Sequence, residues 1–184
     1  MALGRLLLRL VIGLLFVGHG TQKLFGWFGG GGLEQTGGFF ESLGLRPGRR
    51  HAVAAGVAEA AGGGLLALGL ATPVAAGALI AVMSTAIRKV HFQNGVWVSE
   101  GGFEYNAVLI AALALLAEAG PGALSLDSAL GIEKRGVRWG FLALAGGAVA
   151  SAVATKVGEA ERSLAESDQT GEESASYVTA AGGI

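Results

Sequence analysis

No cysteine occurs among the 184 residues, which removes disulfides, thiolate metal sites, iron–sulfur clusters and any thiol mechanism. If redox chemistry runs through this chain, another group carries the electrons. Charge is scarce as well. Charged residues make up 15%, the net charge is -1, and no basic run is long enough to hold a nucleic acid. What the chain has instead is apolar length. Hydrophobic residues reach 52% with a mean hydropathy of +0.56, and they come in long blocks rather than the alternating faces of soluble helices. The 33 glycines are scattered through those blocks without a period, which in a membrane reads as close helix packing.

Five candidate spans can be marked. The first runs from about Leu3 to Leu24. Arg9 interrupts it and no A-x-A-like site follows, so it reads as a retained span and not a cleaved signal. The second, Ala52 to Ala71, carries one charge, Glu59. The third runs from Pro73 to about Phe92, with proline at its start, so that Ala71-Thr72-Pro73 forms a tight hairpin. The fourth, about Phe103 to Ala119, is near the lower limit of ~17 residues for a crossing, and Gly120-Pro121-Gly122 ends it. The fifth, Trp139 to Thr155, is equally short and weaker. Small residues recur every fourth position at Ala52, Gly56, Ala60 and Gly64, and again at Ala143, Gly147, Ser151 and Thr155. Such stripes let backbones approach closely in lipid. The expected fold is therefore all-α, a transmembrane four-helix bundle over 1–135, with a fifth hydrophobic helix over 136–157. The acid-rich tail, 158–184, is expected to be disordered.

Alternating spans fix an arrangement. With Met1 on side A, the end of span one, the start of two, the end of three and the start of four all lie on side B. Those ends carry the polar residues: His19 and Lys23, then Glu59 about 12 Å below its end, then Arg88, Lys89 and His91, then Glu104, Tyr105 and Asn106. On the first helix Arg9, Gly13, Phe16, Gly20 and Lys23 form one stripe, as expected for a bundle interior. Lysine and arginine near helix ends read first as snorkelling anchors, and Tyr105 and Trp97 as interfacial aromatics. Glu59 has no such reading at its depth. It is either protonated or paired with Lys23, His19 or an arginine.

The loop from Phe25 to His51 also lies on side B. Its Gly29 to Gly32 run is a hinge and not a phosphate cradle, and the pieces around Trp27, Phe28, Phe39, Phe40 and Leu43 read as a short interfacial element placed to cover the polar cluster. Side B carries Lys23, Arg46, Arg49, Arg50, Arg88 and Lys89, joined by Lys156 and Arg162 if a fifth span crosses. Side A carries Arg5, Lys134, Arg135 and Arg138. The positive-inside rule then leans towards side B as the cytoplasmic side.

Several of these stretches together, LLLRLVIGLLFVGHGTQKLFGWFGG, VAEAAGGGLLALGLATP, Arg88-Lys89-Val90-His91, GGFEYN from Gly101 and GPGALSLD from Gly120, resemble the DoxX family of small prokaryotic membrane proteins. The resemblance covers about residues 3 to 130. It implies a multi-pass protein of the cytoplasmic membrane, related to a subunit of thiosulfate:quinone oxidoreductase. Members of that family are linked to quinone-coupled sulfur oxidation, quinone detoxification and oxidative stress, and some are membrane partners of soluble redox proteins. The family's motif positions carry over onto Arg9, His19, Gly20, Lys23, Glu59, His91, Glu104, Tyr105 and Asp127, without assigning catalysis to any of them. The segment from Gly136 to Ile184 departs from the pattern.

A quinone requires an apolar tail groove, hydrogen-bond donors for its carbonyls and a proton source, and His19, Lys23, Tyr105 and Glu59 are suitable types. The leading expectation is a quinone-linked oxidoreductase subunit holding ubiquinone or menaquinone without a covalent bond, with Arg88, His91, Glu104 and Asn106 completing the polar set. No metal site is expected. The alternatives are a non-catalytic scaffold that recruits a soluble redox protein or a second membrane subunit, and a small transporter, for which four or five short helices leave room only if the chain oligomerises.

Overall fold

The computed structural model describes residues 2–181, and these contain α-helices and short 3-10 and π turns but no strand. The helices are α1 (Ala2–Phe25), α2 (Gly32–Ser42), α3 (Gly48–Leu68), α4 (Thr72–Ala86), α5 (Glu104–Ala119), α6 (Leu126–Ala129) and α7 (Val137–Ala181). Four stretches are long and apolar enough to cross a membrane: Leu3–Phe25, Gly48–Leu68, Thr72–Asn94 and Val137–Ala165. The last two of the expected spans therefore exchange rank. α5 has only 16 residues, about 24 Å of helix against a hydrocarbon core of about 30 Å, while α7 is the long one.

α1 shows why the bundle forms. Its Leu3, Leu7, Val11 and Leu14 are exposed, one stripe at helical spacing that lies against lipid. On the opposite face Arg9, Gly13, Phe16 and Gly20 are all buried, and Lys23 ends the stripe. This face meets α3 backbone to backbone. A Cβ on Gly13 would come within 2.6 Å of the Gly63 carbonyl oxygen, and one on Gly20 within 2.6 Å of the Gly56 oxygen. Without a hydrophobic drive between helices in lipid, such close contact supplies the dispersion and Cα–H contacts that hold the pair. The expected stripe on α3 is thus shifted at one position: Gly63 makes the contact, and Gly64 faces open space.

The stripe on α7 is as expected. A Cβ on Gly147 would meet Ile80 at 2.6 Å and the Gly77 oxygen at 2.9 Å, and the Ser151 hydroxyl donates to Thr85 Oγ1 at 2.9 Å. α7 lies along α4 in this way. Ile12, Phe16, Leu79, Ile80, Leu113 and Leu116 fill the core between α1, α4 and α5.

Beyond Thr155 the disorder expected for 158–184 gives way to helix. α7 runs on without a break to Ala181, and residues 182–184 lie outside the described residues. Buried Gly158 lets α7 close on Leu45 and His51. Lys89 Nζ then reaches Glu159 at 2.7 Å and Arg50 reaches Glu161 at 3.5 Å. Acid-rich composition argued for disorder, but Ala, Glu, Leu and Arg are also strong helix formers, and the membrane helix has already supplied the nucleus.

Candidate functional site

The end of α4 carries the site. Over Ile87–His91 its helix widens to a π turn, then tightens to a 3-10 turn at Phe92–Asn94. That irregularity turns Lys89 toward α7 and brings His91 to a position between two cavities, both of which it lines. Widened turns of this kind recur where helices carry function.

The smaller cavity, about 220 Å³, lies between α1, α4 and α5. His19, His91, Tyr105 and Asn106 line it together with apolar Ile12, Phe16 and Leu109, and Val98 and Gly102 of the side B loop also line it. Its polar end therefore lies toward side B and its apolar end toward the bilayer centre. His91 Nδ1 lies 2.7 Å from the Gly101 carbonyl oxygen and His19 Nδ1 3.1 Å from Gln22 Oε1. Oxygens of these kinds accept, so each Nδ1 carries the proton, and in a neutral ring Nε2 is left as an acceptor. Buried Asn106 donates to the Met83 sulfur at 3.4 Å, a weak acceptor that leaves its amide ready for a better one. Tyr105 is about half exposed.

Lys23 and Glu59 stand apart from this cavity. Lys23 Nζ is 2.5 Å from Glu59 Oε2, and only 3% of the glutamate side chain is exposed against 24% for the lysine. Glu59 lies about 16 Å along α3, deeper than its sequence position suggested because α3 starts a turn earlier. The expected polar cluster is thus divided. His19, His91, Tyr105 and Asn106 converge on one cavity, Lys23 and Glu59 form an ion pair between α1 and α3, and exposed Arg88 and half-buried Glu104 line neither cavity.

The larger cavity, a groove of about 640 Å³, opens on the other side of α4 between α3 and α7. Its walls include Ala54, Ala58, Ala81, Ala150 and Ala154, and α2 covers it with Phe39 and Phe40. α2 is the interfacial element expected in the first loop, but it covers this groove and not the histidine cavity. The groove was not foreseen from sequence. Its signal was alanine at four-residue spacing, at Ala54 and Ala58 and again at Ala150 and Ala154.

On side A the motif residues have structural roles. Buried Asp127 accepts from Ala71 N at 2.8 Å and from both the N–H and the hydroxyl of Thr72 at 3.2 Å. It thereby caps α4, whose own N-cap side chain makes no bond. Arg9, 1% exposed, donates to the Leu124 carbonyl at 2.5 Å, with the Asp127 carboxylate nearby offsetting its charge. Arg5 donates to Ala119 O at 2.7 Å. The GPGALSLD loop is therefore tied to α1 by Arg9 and to α4 by Asp127, while Arg5 ties α1 to the end of α5 just before it. Gly20 is the close-contact residue described above, which gives that motif position a steric role.

The chain matches no curated protein and no solved structure. Residues 4–92, which reach from α1 through His91 and include both members of the Lys23–Glu59 pair, match the DoxX family model. With its crossing helices and this match, the protein is a membrane protein that belongs to the DoxX family.

Proposed function

We propose that the chain is the quinone-binding membrane subunit of a redox complex in a prokaryotic cytoplasmic membrane, with the histidine cavity as the headgroup site. The observation that carries this reading is the convergence of His19, His91, Tyr105 and Asn106 on one small cavity whose inner wall is apolar. The residues fit the group. The Tyr105 hydroxyl and the Asn106 amide are donors suited to carbonyl oxygens, and Nε2 of each neutral histidine is an acceptor suited to the hydroxyls of the reduced form. Ile12, Phe16 and Leu109 give an isoprenoid tail an apolar exit toward the bilayer centre. A bound quinone would supply the two-electron chemistry that no side chain here provides, and a soluble redox protein or a second membrane subunit would exchange electrons with it. His91, at the membrane surface beneath the loop carrying Val98, is placed to pass protons to and from side B.

One observation favours a scaffold as the second reading. α7 continues as helix well past the length needed for a crossing, and its acid-rich end would give a soluble redox enzyme a rod to dock on.

Binding of a ubiquinone or menaquinone analogue to purified protein tests the first reading. Saturable binding that His19→Ala or Tyr105→Phe weakens about two- to tenfold, the worth of one lost hydrogen bond, is the expected result. Quinones partition into any micelle, so Ile132→Ala, an exposed change on side A, serves as the reference. Equal binding by all four proteins would favour the scaffold.

A further inference from the structure

The alanine-walled groove has features that the histidine cavity lacks. It follows α4 and the π turn beyond it from Ala78 to Lys89, about 16 Å of helix, which is roughly half of a ~30 Å hydrocarbon core and so the depth of one leaflet. Within that depth its polar groups satisfy one another. Thr85 Oγ1 donates to the Ala81 carbonyl oxygen at 2.9 Å and accepts from the Ser151 hydroxyl at 2.9 Å, and nothing deep in the groove asks for a polar ligand. The mouth is the opposite. Four titratable groups line the groove, Lys23, His51, Lys89 and His91, and all are bases. The acids that face them come from other positions. Glu59 holds Lys23 from α3, while from α7 Glu159 holds Lys89 at 2.7 Å and Glu161 lies 3.5 Å from Arg50 and 4.0 Å from His51. None of these three carboxylates lines the groove. Glu159 is half exposed, and a pair of that kind is weak enough for another anion to displace.

We infer that this groove is a binding site for an anionic phospholipid of the side B leaflet, with one acyl chain between α3, α4 and α7 and the phosphate over Lys89 and His51. Leaflet depth selects a chain anchored at the interface, and the all-basic mouth selects a negative headgroup, as basic pockets between membrane helices do. The α7 carboxylates compete with that headgroup for the same cations. The occupied site and the closed Glu159–Lys89 clasp are therefore alternatives. The inference does not rest on quinone binding, since His19, Tyr105 and Asn106 do not line the groove.

The test uses the full-length protein, delipidated in neutral detergent and titrated with dioleoyl phosphatidylglycerol, dioleoyl phosphatidylcholine or oleate. Bound lipid is counted by native mass spectrometry. Phosphatidylglycerol should bind about fivefold or more tighter than phosphatidylcholine, as expected for the loss of one or two cation contacts. Lys89→Ala with His51→Ala should abolish that preference and leave phosphatidylcholine binding unchanged. Glu159→Gln with Glu161→Gln should tighten phosphatidylglycerol two- to fivefold, an effect that loss of a merely structural clasp would not produce. Ala81→Leu should block both phospholipids. If that variant does not run as a monodisperse protein, Ala150→Leu, at an exposed wall position, takes its place. Equal binding of the two phospholipids, normal binding to a filled groove, or oleate displacing phosphatidylglycerol at equal concentration would each overturn the inference. So would displacement of phosphatidylglycerol by a quinone analogue, because that would make the groove the quinone's own. A quinone that binds without displacing phosphatidylglycerol leaves this site standing, and phosphatidylglycerol selectivity without quinone binding would cost only the proposed function.

Discussion

Lys23 and Glu59 are 36 residues apart in sequence and 2.5 Å apart in space, with the carboxylate side sealed and the ammonium side partly open. The arrangement lets the lysine reach the interface while the glutamate stays within α3. Removing only one partner strands a charge. Glu59→Leu should therefore destabilise the protein by about 3–5 kcal/mol. Glu59→Gln, which keeps an acceptor for Lys23, should cost less, about 1–3 kcal/mol. The double change Lys23→Met/Glu59→Leu should recover much of the loss. Detergent-based thermal unfolding would show the ordering, and a Glu59→Leu protein as stable as wild type would end the buried-pair account.

Asp127 joins two elements 55 residues apart through its bonds to Thr72. Asp127→Ala should lower stability by about 1–3 kcal/mol, a larger loss than an ordinary exposed cap, because it orphans the buried N–H and hydroxyl of Thr72 as well as the N–H of Ala71. Asp127→Asn should lie between, since one amide oxygen can still accept. The midpoint of unfolding decides it, with Ile132→Ala as the neutral neighbour on side A.

Two adjacent glycines should behave in opposite ways. A Cβ at Gly63 would lie 2.5 Å from the Gly13 carbonyl oxygen, whereas Gly64 meets nothing within 4 Å. Gly63→Ala should cost about 1–3 kcal/mol by forcing α1 and α3 apart. Gly64→Ala should be neutral or gain up to about 1 kcal/mol from helix propensity. Similar losses in both variants would mean that the α1–α3 contact is not the close one described.

The sidedness can be checked directly because the chain has no cysteine background. Single variants Ser99→Cys and Ala123→Cys, both at exposed positions, should label from opposite faces of sealed vesicles with a membrane-impermeant maleimide. Labelling of both from one face would break the helix alternation.

The spans were legible because twenty-residue apolar blocks have no other use, and the α1 stripe was legible because 3.6-residue geometry needs only the sequence of one helix. Pairing across helices was legible only where chemistry narrowed the choice: Glu59 had to find a base, and the structure supplies Lys23, while His19 turns to Gln22. Asp127 could not be placed, since an α4 start lacking its own cap does not say which distant carboxylate serves it. The full length of α7 was not legible for a related reason. Composition marks where apolar residues stop but not where a helix does, and α7 continues on ion pairs to Lys89 and Arg50 that come from other helices.

Helix α3 acts as a partition with two unlike faces. Toward α1 its glycines leave no volume to give, so that seam transmits any displacement of one helix directly to the other. Toward α4 and α7 its alanines leave space that a larger side chain can enter. Tolerance to added bulk should therefore change sign across about one helix diameter, with sequence drift accumulating on the hollow face and held in check on the sealed one. A ligand in the groove would accordingly be felt by α4 and α7, while the glycine seam between α1 and α3 stays fixed as the frame against which those helices move.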